Sequence, residues 1–142
     1  MAELSEAFVE HLIARYTPPR TRVEFRLNRG WYTAEKNDNG TFVIHAPYPD
    51  TPFDALKFLH ECAHVANGDE NHKLPEYLYE YQAERTAMQW WRNEGKRVPR
   101  AYSEHAKQYI RGIIAKQRRI NKRRRPENRV RFKPSVVRWA RK

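Results

Sequence analysis

The sequence predicts an α+β fold. It comprises an N-terminal helix and a small antiparallel sheet, packed on two long antiparallel helices, with a basic helical C-terminal extension. Three observations carry this reading. Residues 21–46 hold β-prone runs broken by turn residues. Three later stretches have helical periodicity, and Pro52, Pro75 and Pro99 stand where each begins. Charge then divides the chain: residues 96–142 hold 18 Lys/Arg against Glu104 and Glu127, a net +16, while residues 1–95 carry 10 basic and 15 acidic residues, a net −5. The domain organisation expected is therefore a body over residues 1–95 and a basic extension over 96–142.

The elements follow in order. Leu4, Phe8 and Leu12 recur at helical spacing, which predicts an amphipathic helix over residues 3–15. Pro18 and Pro19 cannot continue it. In "VEFRLN", Val23, Phe25 and Leu27 alternate with polar residues, the pattern of a strand with one buried face. "WYTAEK" and "TFVIH" flank "NDNG", whose Asn39-Gly40 is a hairpin signal. Asp50 or Thr51 can cap a helix starting at Pro52, and Gly68 lies just past its end. A second helix runs from Pro75 to Gly95. A third, from Pro99, aligns Tyr102, Ala106, Tyr109, Ile110, Ile113 and Ile114 in one stripe, and "SVVRWARK" closes the chain as a short helix.

Composition narrows the class. With 142 residues, 39 % hydrophobic content and a mean hydropathy of −1.01, the chain suits a single small domain with a polar periphery. Cys62 is the only cysteine, so no intrachain disulfide forms, as suits a reducing compartment. Glu3, Glu6 and Glu10 replace the basic and apolar regions of a signal peptide, and no apolar run reaches membrane-spanning length. These features predict a soluble, cytoplasmic protein without a membrane partner.

The second helical stretch carries the chemistry. Residues 60–64 read "HECAH", an HExxH pattern. Residues four apart share a helix face, so His60 and His64 can offer two imidazoles to one metal ion. Glu61 falls a step round the helix, beside the metal, where a base acting on water must be. A zinc centre for hydrolysis needs a third protein ligand and an open position. On the next helix Glu76, Glu80 and Glu84 lie on one face, and a short loop returns that face past the histidines. His72 is a competing third ligand. The longer frame HExxHxxGxxH fails, because Asn67 and Glu70 stand at its glycine and last histidine. Cys62 reads as a small buried residue, and His11, His45 and His105 have no motif partner.

"HECAH" followed by "YEYQAERTA" resembles the gluzincin-type zinc metallopeptidases, and most nearly the small ImmA/IrrE-like and phage-encoded peptidases. "EYQAE" is also similar to the E-[YF]-x-A-D motif of HtpX-type membrane proteases. The resemblance covers about residues 53–91. It implies a Zn2+ ion held by His60, His64 and Glu80, with Glu61 as catalytic base. It also implies a protein or peptide as substrate, and Glu84 as an acid supporting a ligand. Some ImmA/IrrE-like motifs read E-x-E-A-N, a frame that sets Gln82 at one acidic position and leaves the choice of Glu80 open; Glu84 and His72 are the alternative ligands.

The extension reads separately. Arg118, Arg119, Lys122, Arg123, Arg124 and Arg125 form a compact phosphate-binding candidate. No base-reading motif accompanies them, so nucleic-acid binding there is expected to be non-specific, with an acidic protein as second choice. The competing function is a zinc-containing protein without catalysis that docks on nucleic acid or a nucleoprotein through this region.

Overall fold

The computed structural model describes residues 3–26, 32–69 and 73–142. Helix α1 (Glu6–Tyr16) leads into strands β1 (Thr21–Phe25), β2 (Thr33–Lys36) and β3 (Phe42–Ala46). Helices α2 (Pro52–Ala66), α3 (Glu76–Asn93) and α4 (Arg100–Lys122) follow, and after a 3-10 turn at Pro126–Asn128 the chain ends in α5 (Pro134–Arg141). This is an α+β molecule. Leu27 and Trp31, the ends of two predicted β runs, and His72 lie outside the described residues.

Local chemistry sets the boundaries. The Ser5 hydroxyl accepts from the Phe8 N–H to start α1, and the Thr51 hydroxyl accepts from Asp54 N–H to start α2. Gly68 and Gly95 take positive φ angles of 72° and 75° where α2 and α3 end, the left-handed turn that glycine adopts without penalty.

The sheet differs from expectation in one respect. It is mixed rather than antiparallel, with strand order β1-β3-β2. β2 and β3 form the predicted antiparallel hairpin, with Thr33 opposite His45 and Lys36 opposite Phe42. β1 lies on the far side of β3 and parallel to it, pairing Thr21 with Phe42 and Phe25 with Ala46. The centre goes to the strand best suited to burial on both faces. Val43, Ile44 and Ala46 of β3 are buried, whereas β1 and β2 carry Arg22, Glu24, Glu35 and Lys36 at the margins. β2 is left as an edge.

α2 lies between the sheet and the other helices. Leu56, Phe58, Leu59 and Cys62 are fully buried, in one core with Leu12, Ile44, Ala87, Trp91, Tyr102 and Ala106. A second cluster joins Tyr77 and Leu78 of α3 to Ile110, Ile113 and Ile114 of α4 and Val136 and Ala140 of α5. The basic segment 96–142 is therefore set apart by charge but not by packing, since α4 contributes to both clusters. Tyr109 leaves its predicted apolar stripe: it is 44 % exposed. The last residues fold back, with Tyr77 Oη accepting from Lys133 N–H at 2.9 Å and donating to the Arg131 carbonyl at 3.0 Å. No helix among the described residues is long and apolar enough to cross a membrane.

Candidate metal centre

Charged groups seldom stay buried without a compensating partner. Among the described residues the buried charged side chains are Glu61, Asp69, Glu80 and Glu84, and all four surround His60 and His64. α2 supplies the histidines one turn apart. α3 crosses it so that Glu84 faces His60 and Glu80 faces both imidazoles.

The geometry fixes the tautomers. His60 Nδ1 lies 2.8 Å from Glu84 Oε1, and His64 Nδ1 lies 2.9 Å from Asp69 Oδ2. A carboxylate only accepts, so both Nδ1 atoms carry the proton and donate it. In the neutral rings that a metal requires, both Nε2 atoms then present lone pairs. They lie 3.0 Å from each other, and 3.0 and 3.1 Å from Glu80 Oε1. Three acceptors facing one another this closely repel unless a proton or a metal cation sits among them. Zinc bonds of about 2.0–2.2 Å in tetrahedral geometry separate ligand atoms by roughly 3.3 Å, close to this spacing. His60, His64 and Glu80 can thus hold a metal ion.

The electrostatics point the same way. Burial disfavours the imidazolium of His60, yet Glu84, Glu80 and Glu61 outweigh it and hold the pKa well above the usual histidine range. His64 is raised too, burial being overcome chiefly by Glu80. Burial acts to raise Glu80, but the two histidines bring it down to about 2. The site demands positive charge.

Glu84 sits behind His60 rather than at the shared point. Its Oε1 also accepts from Tyr102 Oη, which burial and Glu84 keep protonated. Asp69 does for His64 what Glu84 does for His60. Such carboxylate–histidine pairs orient a ligand and raise its basicity. Glu76 is directed elsewhere, to Lys116 at 2.7 Å. Glu61 makes no hydrogen bond among the described residues and its carboxylate lines the cleft; burial raises its pKa, against the pull of His60 and His64. Sequence reasoning missed Asp69, Tyr102 and Lys57. The only signal for Asp69 was an acid five residues after His64, and Tyr102 and Lys57 had none.

Two hollows meet at Glu61, His64 and Glu80. One, about 190 Å³, is walled by Lys57, Tyr102, His105 and Tyr109. The other, about 490 Å³, runs along Thr33–Lys36 of β2 to Tyr79. Cys62 faces the core, and burial pushes its thiol pKa far up, so it takes no part. In the basic segment Arg118, Arg119, Lys122, Arg123, Arg124 and Arg125 are all exposed. None of the six is in an ion pair among the described residues, and Arg118 lies over the Phe132 ring at 5.5 Å. The chain matches no protein-family model, no curated protein and no solved structure.

Proposed function

We propose that this protein is a zinc-dependent peptidase of the gluzincin kind. One observation carries the reading: four buried carboxylates and two histidines converge so that three ligand atoms meet in an open cleft, with Glu61 beside them and without a hydrogen bond among the described residues. Two imidazole nitrogens and one carboxylate oxygen suit zinc and leave a position open. Zinc held there supplies Lewis acidity toward a peptide carbonyl and a water molecule. The chain's own residues do the rest. Glu84 and Asp69 fix the rings of His60 and His64. Glu61 takes the proton of the attacking water and hands it to the departing amine; its raised pKa suits a group that must both accept and return a proton. β2, an edge of the sheet among the described residues, borders the larger hollow, where an extended peptide can add as a further strand. The single buried cysteine fits a cytoplasmic setting.

The test pairs metal content with hydrolysis of a proteome-derived peptide mixture. The wild type is expected to hold one divalent ion per chain and to cut peptides. Glu61→Gln is expected to keep the ion and lose about 10²- to 10⁴-fold in rate. A metal-free wild type, or a Glu61→Gln protein as active as wild type, rejects the proposal.

A second reading concerns the basic segment and is favoured by the six exposed cations from Arg118 to Arg125, none of them ion-paired among the described residues. It docks on nucleic acid through phosphate contacts, and it holds whether or not the metal centre is hydrolytic.

A further inference from the structure

The smaller hollow has a wall that hydrolysis does not use. Lys57 stands one helical turn before His60, and its Nζ lies 3.2 Å from His105 Nε2. The rings of Phe53 and Tyr32 flank the ammonium at 5.4 and 5.6 Å. Burial, then Lys57 itself, holds the pKa of His105 below the usual value, so the imidazole is neutral and accepts from the ammonium. That uses one of three donors. No carboxylate lies within 4.0 Å of Nζ among the described residues. Glu84 and Glu61 act on it only at longer range, against the burial that lowers its pKa. On the same wall, the Tyr109 hydroxyl has no hydrogen-bond partner among the described residues, and burial and the nearby carboxylates keep it protonated. A half-buried cation and a phenol donor thus face an open cavity whose other ionised groups are carboxylates and histidines.

We infer that Lys57, backed by His105 and joined by Tyr109, is a receptor for a carboxylate of the bound peptide, close to the bond that Glu61 acts upon. The inference rests on the peptidase reading of the site. A carboxylate is the anion a peptide carries, and a single ammonium with one phenol matches a single negative charge. Two sources share this chemistry: an Asp or Glu side chain, and the free C-terminus of the peptide. In either case Lys57 sets which peptides are taken. If the lysine merely offset Glu84 and Glu61, acidic and neutral peptides would respond to its loss alike.

The test uses full-length Glu61→Gln protein with zinc supplied, to capture members of a random octapeptide library. Captured peptides are expected to be rich in Asp or Glu, or to require a free C-terminus. Replacing the acid by its amide, or amidating the chain end, is expected to weaken binding about tenfold, and tells the two sources apart. Lys57→Gln is expected to abolish that difference, while Lys57→Arg retains it. Equal binding of acid and amide forms, or no capture at all, overturns the inference. Hydrolysis of the captured peptides by the wild type is scored separately. Acid preference without cutting supports the receptor and rejects the peptidase; cutting without acid preference does the reverse.

Discussion

At the scale of single residues, the centre depends on what lies behind the three acceptor atoms. An unrestrained histidine can rotate or exchange tautomers, and either move turns its lone pair away from an ion. Glu84 prevents this for His60, and Tyr102 in turn holds Glu84. Asp69 performs the task for His64, at 2.9 Å. Asp69→Ala is therefore expected to leave the fold intact but weaken zinc binding about 10- to 100-fold, since supporting partners are commonly worth that much. Competition with a chromophoric chelator measures it, and an unchanged affinity would remove Asp69 from the centre. His60, Glu61, His64, Glu80 and Glu84 were legible in the sequence because their spacing places them on helix faces. Asp69 and Lys57 were not. One lies in the turn beyond α2, where periodicity says nothing, and the other meets His105, which comes from a helix distant in sequence.

At the scale of elements, punctuation told more than propensity. Prolines at the starts of α2, α3 and α4, and glycines just past the ends of α2 and α3, located those boundaries within a residue or two. The sheet was readable strand by strand but not in order. An alternating pattern reports which face is buried, not which strand is the neighbour, so nothing local revealed that β3 would be inserted between β1 and β2. The division at residue 95 shows a similar limit. Charge marks a change of composition, yet Tyr102 and Ala106 share the core of α2 while Ile110 packs with Tyr77 and Val136. Ile110 is fully buried. Ile110→Ala is expected to lower the unfolding free energy by about 2–5 kcal/mol, through lost burial and the cavity left behind. Urea unfolding followed by far-ultraviolet dichroism should show one transition moved to lower denaturant. Two separable transitions would mean that the basic segment is an independent unit.

At the scale of the whole molecule, α4 links the cleft to the basic surface. His105 and Tyr109 face the smaller hollow, and Arg118 lies nine residues further on, about 14 Å along a helix rising about 1.5 Å per residue. The cations from Arg118 to Arg125 are exposed, and the one acid of α3 that reaches this end of α4, Glu76, is taken by Lys116. Self-repulsion of this density persists in the free protein and is relieved when a polyanion binds. Each phosphate contact releases condensed counterions, so affinity for DNA or RNA is expected to fall linearly with salt on logarithmic axes. Changing Arg123, Arg124 and Arg125 together to Ala should weaken binding and flatten that slope by roughly two to three if each meets a phosphate. Base sequence should matter little, because the sequence of the segment carries no base-reading motif. The triple variant should keep its metal, since His60, His64 and Glu80 lie on α2 and α3 and the three arginines at the far end of α4. Fluorescence anisotropy at a series of salt concentrations reads the slope. Absence of binding to both DNA and RNA at low salt would reject the nucleic-acid partner and leave an acidic protein as the one to seek by capture on the same arginines.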